Sequence, residues 1–388
     1  MVSLLLAIIY LSFISLGLPD ALLGAAWPTM CTEFGVPLSY AGAISLTIAA
    51  GTIISSLLSD RMTSRFGPAK VTAFSVAMTA AALMGFSLTR SYWMLLLWAI
   101  PYGLGAGSVD ASLNNYVALH YASRHMSWLH CMWGVGASVG PYVMGAALTG
   151  GFGWNMGYRV IGILQVVLTI ILIVSIPLWK GREEETSEDT PQERRKPLKF
   201  REILAIAGAK EVLIAFFCYC AAEQTAILWS GTYLVMHDGL DEQSAAAFAG
   251  MFLIGLTIGR ALSGFLTYKL NDMNMIRLGQ LLMGLGILVM LIPLGMVCSM
   301  AGLMLIGLGC APVYPCIIHS TPDHFGPENS QALVGVQMAA AYLGILIVPP
   351  VFGVVAEHMD VSLLPWYLLA VIVLMTVMCE RLNRKTAH

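Results

Sequence analysis

Charge is what this sequence has least of. Only 11% of its 388 residues are Asp, Glu, Lys or Arg, against about 25% in a soluble globular domain. With 58% hydrophobic residues and a mean hydropathy of +0.78, the chain reads as a polytopic membrane protein. Basic residues are not in excess either: the formal net charge is −2, which argues against nucleic acid as a partner. Cysteine is sparse and poorly spaced. Of the eight, most lie in apolar segments, and the one close pair, Cys218 and Cys220, fits neither a zinc knuckle nor a redox CxxC. No metal-ligand spacing or nucleophile–base constellation occurs, so no cofactor is implied and an enzyme is not expected. Long polar segments are missing as well. Twelve spans of about 20 residues would use about 240 positions, leaving no room for a soluble domain and no evident need for an obligate protein partner. The sequence runs from Met1 straight into an apolar stretch without a basic leader region, so the first helix is expected to be retained.

What is present is a succession of apolar runs parted by turn-formers and charges. They predict helices at about 2–30, 38–59, 69–88, 91–118, 128–149 and 157–179, and again at about 208–235, 244–268, 275–292, 296–319, 330–356 and 363–379. The fold class expected is an all-α membrane protein with twelve transmembrane helices in two pseudo-symmetric six-helix bundles. The N-terminal bundle is placed at 1–179, a polar cytoplasmic linker at 180–202 and the C-terminal bundle at 203–388. With both termini cytoplasmic, 17 of the 20 Lys and Arg fall on the inner side, the orientation favoured by the positive-inside rule in a plasma or inner membrane. Trp93 and Trp366, near segment ends, are expected at the membrane interfaces.

The halves repeat each other weakly. GLGAGSVD (103–110) and GLGCAPVY (307–314) are offset by 204, and Gly136, Pro141 and Gly145 return as Gly344, Pro349 and Gly353 at an offset of 208. Asp20 and Glu223 correspond at 203.

Three acids stand inside otherwise uncharged spans: Asp20, Asp110 and Glu223. A charge at bilayer depth costs about 2.5–3.5 kcal/mol on insertion scales, and its default reading is a proton relay or a substrate or ion site. Asn114 lies one helical turn from Asp110, so the two share a face, and Gly103 and Gly107 extend that face without side chains to block a cavity. A carboxyl there can take up and release a proton as the site alternates between two aqueous sides. The alternative for Asp110 is a carboxyl hydrogen-bonded across helices to hold the bundle together. For Asp20, which follows Gly17 and Pro19, it is the satisfaction of backbone N–H groups freed by an irregular helix. For Glu223 it is an ion pair with Arg260, a residue read as structural unless the solute is an anion. His130, three residues before Trp133, is expected to be buried and bonded to a carbonyl, and His319, Asp323 and His324 are expected in a solvated loop.

Between the second and third spans, SSLLSDRMTSRFGPAK resembles the signature loop G-x-x-x-D-R-x-G-R-[RK] of the major facilitator superfamily. Asp60, Arg61, Gly67 and Lys70 fit it, while Ser56 replaces the first glycine and about four additional residues precede Gly67. The resemblance implies a gating loop that holds one conformational state. Within the superfamily, GLPDALLGAAWP, GLGAGSVDASLNNYV and CAAEQTAILWSGTYL resemble the fucose:proton symporter type of sugar permease, with acids in the first, fourth and seventh helices. That resemblance implies a secondary transporter in which Asp20 and Asp110, with Glu223, are proton-coupling and sugar-binding carboxylates. A sugar also needs amides for its hydroxyls and rings for its C–H face. Asn114, Asn115, Gln224 and Gln337 offer the first; Trp27, Trp133, Trp229, Tyr233 and Tyr314 offer the second. The expected function is uptake of a small polar solute, such as a monosaccharide, by proton symport. The alternative is an efflux antiporter, since GVGASVGPYVMG partly resembles the antiporter signature G-x-x-x-G-P-x-x-G-G; the fourth-span arginine of such antiporters is absent.

Overall fold

A computed structural model describes residues 4–187, 198–240 and 242–386. Every regular element among them is helical. In the first part of the chain these are α1 (Leu4–Gly17), α2 (Leu22–Phe34), α3 (Ala41–Phe66), α4 (Pro68–Leu88), α5 (Tyr92–His120), α6 (Ser123–Thr149) and α7 (Trp154–Ser187). In the second they are α8 (Phe200–Ala205), α9 (Ala209–Met236), α10 (Glu242–Leu266), α11 (Asp272–Met290), α12 (Met296–His319), α13 (Thr321–Phe325), α14 (Pro327–His358) and α15 (Leu364–Thr386). Eleven stretches are long and apolar enough to cross a membrane, with α1 and α2 together forming the first, and the shorter apolar helix Gly250–Leu266 supplies the twelfth.

Helix boundaries follow local chemistry. Gly67, at φ 81°, ends α3, and Pro68 opens α4 at a position where its missing N–H costs nothing. Gly326, at φ 81°, and Pro327 repeat the device between α13 and α14. The first span breaks at 18–21, where Pro19 cannot donate and the chain closes turns from Asp20 N to Gly17 O (3.1 Å) and from Leu22 N to Pro19 O (3.1 Å).

Contacts divide the described chain into two units: Met1–Tyr116 with Leu129–Leu198, and Val117–Trp128 with Lys199–His388. Two features differ from the boundaries read in the sequence. Helix α7 continues beyond Trp179 to Ser187, and the α5–α6 turn joins the second unit. Residues 188–197 of the linker lie outside the described residues.

Each unit packs through the same glycine seams. A Cβ on Gly103 would lie 2.2 Å from Ile48 O, and one on Gly307 would lie 2.1 Å from Phe252 O; both partners are 204 positions apart. Gly105 meets Ser75 and Thr79 as Gly309 meets Gly279 and Met283, again at 204, and Gly136 meets Ile14 as Gly344 meets Phe217. In a membrane, where no hydrophobic force drives helices together, such close backbone approach supplies the attraction. Gly103 and Gly107 therefore do not border a cavity: their face is closed by α3, with a Cβ on Gly107 falling 2.3 Å from Thr52 O.

The outer surface is apolar. On α7, Ile161, Gln165, Leu168 and Leu172 form a buried stripe, while Ile163, Val167, Ile170 and Val174 are exposed on the remaining faces, as expected of a helix bordered by lipid. Trp93 and Trp366 are exposed in the first turns of α5 and α15.

Candidate functional site

In the first unit, helix α6 holds both acids. Asp110, 8% exposed, projects from α5, and its carboxylate accepts from Asn114 Nδ2 at 2.8 Å; the same amide reaches the Asp110 carbonyl at 3.0 Å. That fixes the amide orientation and turns Asn114 Oδ1 toward His130 of α6, whose Nε2–H donates to it at 3.0 Å. Phe13 of α1 closes the imidazole from the side, with ring centroids 5.4 Å apart and planes at 87°. One turn further along α6, the Trp133 indole N–H donates to Asp20 Oδ2 at 2.9 Å. Tyr102 of α5 is a further hydrogen-bond partner of Asp20. Of the two residues Asp20 is the more exposed and Asp110 is buried. Its carboxylate is engaged by side chains, while its own backbone N–H bonds within the turn, so Asp20 is not there to satisfy freed backbone groups.

In the second unit the acid is already paired. Glu223 Oε1 lies 3.5 Å from Arg260 Nη2, with the side chains 15% and 6% exposed. The Tyr219 hydroxyl donates to the other carboxylate oxygen. Phe216, Tyr219 and Tyr314 pack around this group, with Phe216 and Tyr314 centroids 4.7 Å apart. Glu223 thus has the partner that the sequence offered as its structural alternative.

The other candidates are dispersed. Trp27, 4% exposed, sits in the apolar core of the first unit against Tyr92. Asn115 is buried beside Asn114 in sequence. Gln224, next to Glu223, is half-buried. Trp229 donates to Pro349 O at 2.9 Å and packs on Phe352. Tyr233 is buried and stacked on His237, with centroids 4.7 Å apart. The Tyr314 hydroxyl reaches Met338 Sδ at 3.2 Å. Gln337 is fully buried and bonded to Thr321 at 3.2 Å, which commits it to holding α13 on α14. In the loop resembling the gating motif, Asp60 accepts from Leu198 N at 3.3 Å, Arg61 is exposed, and Ser56, in place of glycine, reaches Gly107 O at 3.3 Å.

His319 and His324 are not in a solvated loop. His319 Nδ1 lies 2.5 Å from Asp272 Oδ2 of α11, and its Nε2 lies 3.0 Å from Tyr121 O. Ser123 donates to the other Asp272 oxygen. His324 Nδ1 is 2.7 Å from Thr386 Oγ1, and burial holds its imidazole below the usual histidine range. Asp323 alone is exposed as expected. Sequence reasoning also missed Tyr102 and Tyr219. The one available signal was spacing: Tyr219 stands one turn before Glu223.

The sequence matches the family model of the Major Facilitator Superfamily over residues 9–349. It is 23% identical over 385 residues to the 4-hydroxybenzoate transporter PcaK of Pseudomonas aeruginosa, covering 87% of this chain and 83% of that one. It is 22% identical over 281 residues to Bypass of stop codon protein 6 of Saccharomyces cerevisiae, covering 66% of this chain and 56% of the relative, little more than half its length. Among solved structures it resembles FucP, the E. coli fucose:proton symporter, crystallised in the outward conformation: the TM-score is 0.78 at 15% identity, over 97% of this chain and 98% of that one. With twelve apolar spans, paired glycine seams in its two units and a family model matching most of its length, the chain belongs to the major facilitator superfamily.

Proposed function

We propose that this transporter takes up a small polar solute, a monosaccharide or a related compound, by proton symport through alternating access. The observation that carries the reading is the clamp of α6 on both acids of the first unit: His130 through Asn114 on Asp110, and Trp133 on Asp20. Asp20, the more exposed of the two, is the entry point for the proton; Asp110, buried beside a neutral amide, is where it is held. Protonation alters the charge to which Asn114 donates, so the amide and the imidazole behind it must adjust. A solute hydroxyl competing for the same groups biases that arrangement, and coupling needs no more than two ligands acting on one equilibrium. Gln224 and Trp229 of α9 are the proposed solute contacts from the second unit. The orientation proposed places both termini in the cytoplasm of a cell with this protein in its plasma or inner membrane.

A second reading concerns solute charge. Arg260, buried with Glu223 among Tyr219, Tyr314 and Phe216, is suited to an aromatic or sugar carboxylate that would take over the guanidinium as Glu223 is protonated. The relative named for 4-hydroxybenzoate transport gives that reading its weight.

Proteoliposomes with an imposed inward proton gradient separate the two. Labelled neutral sugars should accumulate and collapse of the gradient should abolish accumulation. Accumulation of 4-hydroxybenzoate or a hexuronate with no sugar uptake would replace the first reading by the second. Extrusion of solute against an inward gradient would establish antiport instead.

A further inference from the structure

The first unit contains a cavity that the transport reading does not use. It has a volume of about 430 Å³ and is framed by Leu58, Met62 and Phe66 of α3 and by Val71, Phe74 and Met78 of α4, with Leu104 and Ser108 of α5 at its floor. Its walls are mainly apolar, with the hydroxyl residues Ser55 and Ser75 beside Ser108, and its one charged lining residue is Lys70, in the first turn of α4. Leu58, Phe66 and Phe74 are 42%, 45% and 60% exposed, so the slot opens outward between α3 and α4 on the surface bordered by membrane.

We propose that this slot binds one acyl chain of an anionic phospholipid, with the headgroup phosphate on Lys70. Three observations commit it to that occupant. From Ser55 to Phe66, α3 rises about 16 Å, the depth of one leaflet of a hydrocarbon core about 30 Å thick. The lining, apolar but for three serine hydroxyls, becomes basic at Lys70, where a headgroup would sit, and Arg61 and Arg65 in the last turns of α3, both exposed, add positive charge to that end of the helix. Basic pockets of this kind between spans select anionic headgroups. Among the described residues Lys70 makes no ion pair, so its ammonium is available to a phosphate.

The site would act on the loop that resembles the gating motif. A chain seated between α3 and α4 holds apart the two helices that Gly67 and Pro68 join, and its floor, Ser108, is two residues from Asp110.

The test is lipid retention measured by native mass spectrometry on the purified protein, comparing phosphatidylglycerol with phosphatidylcholine of the same chains. Retention of phosphatidylglycerol should exceed that of phosphatidylcholine by about tenfold, and Lys70→Glu should remove the difference while leaving phosphatidylcholine unchanged. Leu58→Trp, a substitution at a half-exposed position, should fill the slot and lower retention of both lipids. Equal retention of the two lipids, or a preference untouched by Lys70→Glu, would overturn the proposal. So would a dimer lost on Leu58→Trp with lipid retention unchanged, since that would assign the slot to a second copy of the chain. None of these readouts requires transport, so the outcome is independent of the solute and of proton coupling.

Discussion

At the scale of single residues, a charge in these spans is tolerated only where a specific partner exists, and the partners differ. Asp110 has a neutral amide, which can serve either protonation state. Glu223 has the Arg260 guanidinium and the Tyr219 hydroxyl. The consequences of substitution differ accordingly. Glu223→Gln should strip Arg260 of its counter-charge and destabilise the protein by about 3–5 kcal/mol, the cost of leaving one member of a buried pair alone. The double variant Glu223→Gln/Arg260→Met should recover most of the loss, as read by thermal unfolding in detergent. Asp110→Asn should cost much less, because Asn can still accept from Asn114 Nδ2. Glu223 with Arg260 was legible in the sequence, because two opposite charges in adjacent apolar spans have few other partners. His319 was not. Its partners come from α11 and from the α5–α6 turn, far off in the chain, and a histidine at a helix end beside Asp323 looks solvated until those elements are placed.

At the scale of elements, glycine decides where helices meet. The sequence showed Gly103 and Gly107 on the face of Asp110, and their absent side chains suggested open space; the space is instead filled by the backbone of α3. Helical periodicity reports which residues share a face and is silent on what lies opposite. Gly103→Val should therefore force α3 and α5 apart, and Gly307→Val should do the same to α10 and α12, each destabilising by about 1–3 kcal/mol in the manner of an overpacked core. Gly145→Ala, with nothing within 4 Å of the added carbon, should be neutral or stabilising by up to about 1 kcal/mol, since alanine costs less entropy than glycine in a helix. Unfolding midpoints of the three variants would check the contrast. The break in the first span was legible from Gly17 and Pro19, and its use was not: only the fold brings Trp133 to Asp20.

At the scale of the whole molecule, the two-fold repetition was visible as offsets in sequence and returns as matched glycine contacts 204 positions apart. The exception to a simple division into halves is the segment Val117–Trp128, the α5–α6 turn with the helix ends that flank it, which belongs by its contacts to the second unit. Asp272 anchors it through Ser123, and His319 bridges Asp272 to the Tyr121 carbonyl. Arg124 adds a cation–π contact with Tyr268, 5.0 Å from the ring centroid. Asp272→Ala should release the turn, and hydrogen exchange should show faster amide exchange at 121–128 than in the parent protein, with α9 unaffected. Unchanged exchange there would remove this cluster from any part in holding the turn.

The central claim is that Asp110 carries the proton that solute movement requires. Proteoliposomes containing a trapped pH indicator measure it directly: addition of a transported sugar outside should acidify the lumen in step with sugar entry. For Asp110→Asn the account predicts that sugar still equilibrates down its own gradient while lumenal acidification falls to the level of protein-free vesicles. Acidification in Asp110→Asn at the parent's ratio of protons to sugar would contradict it.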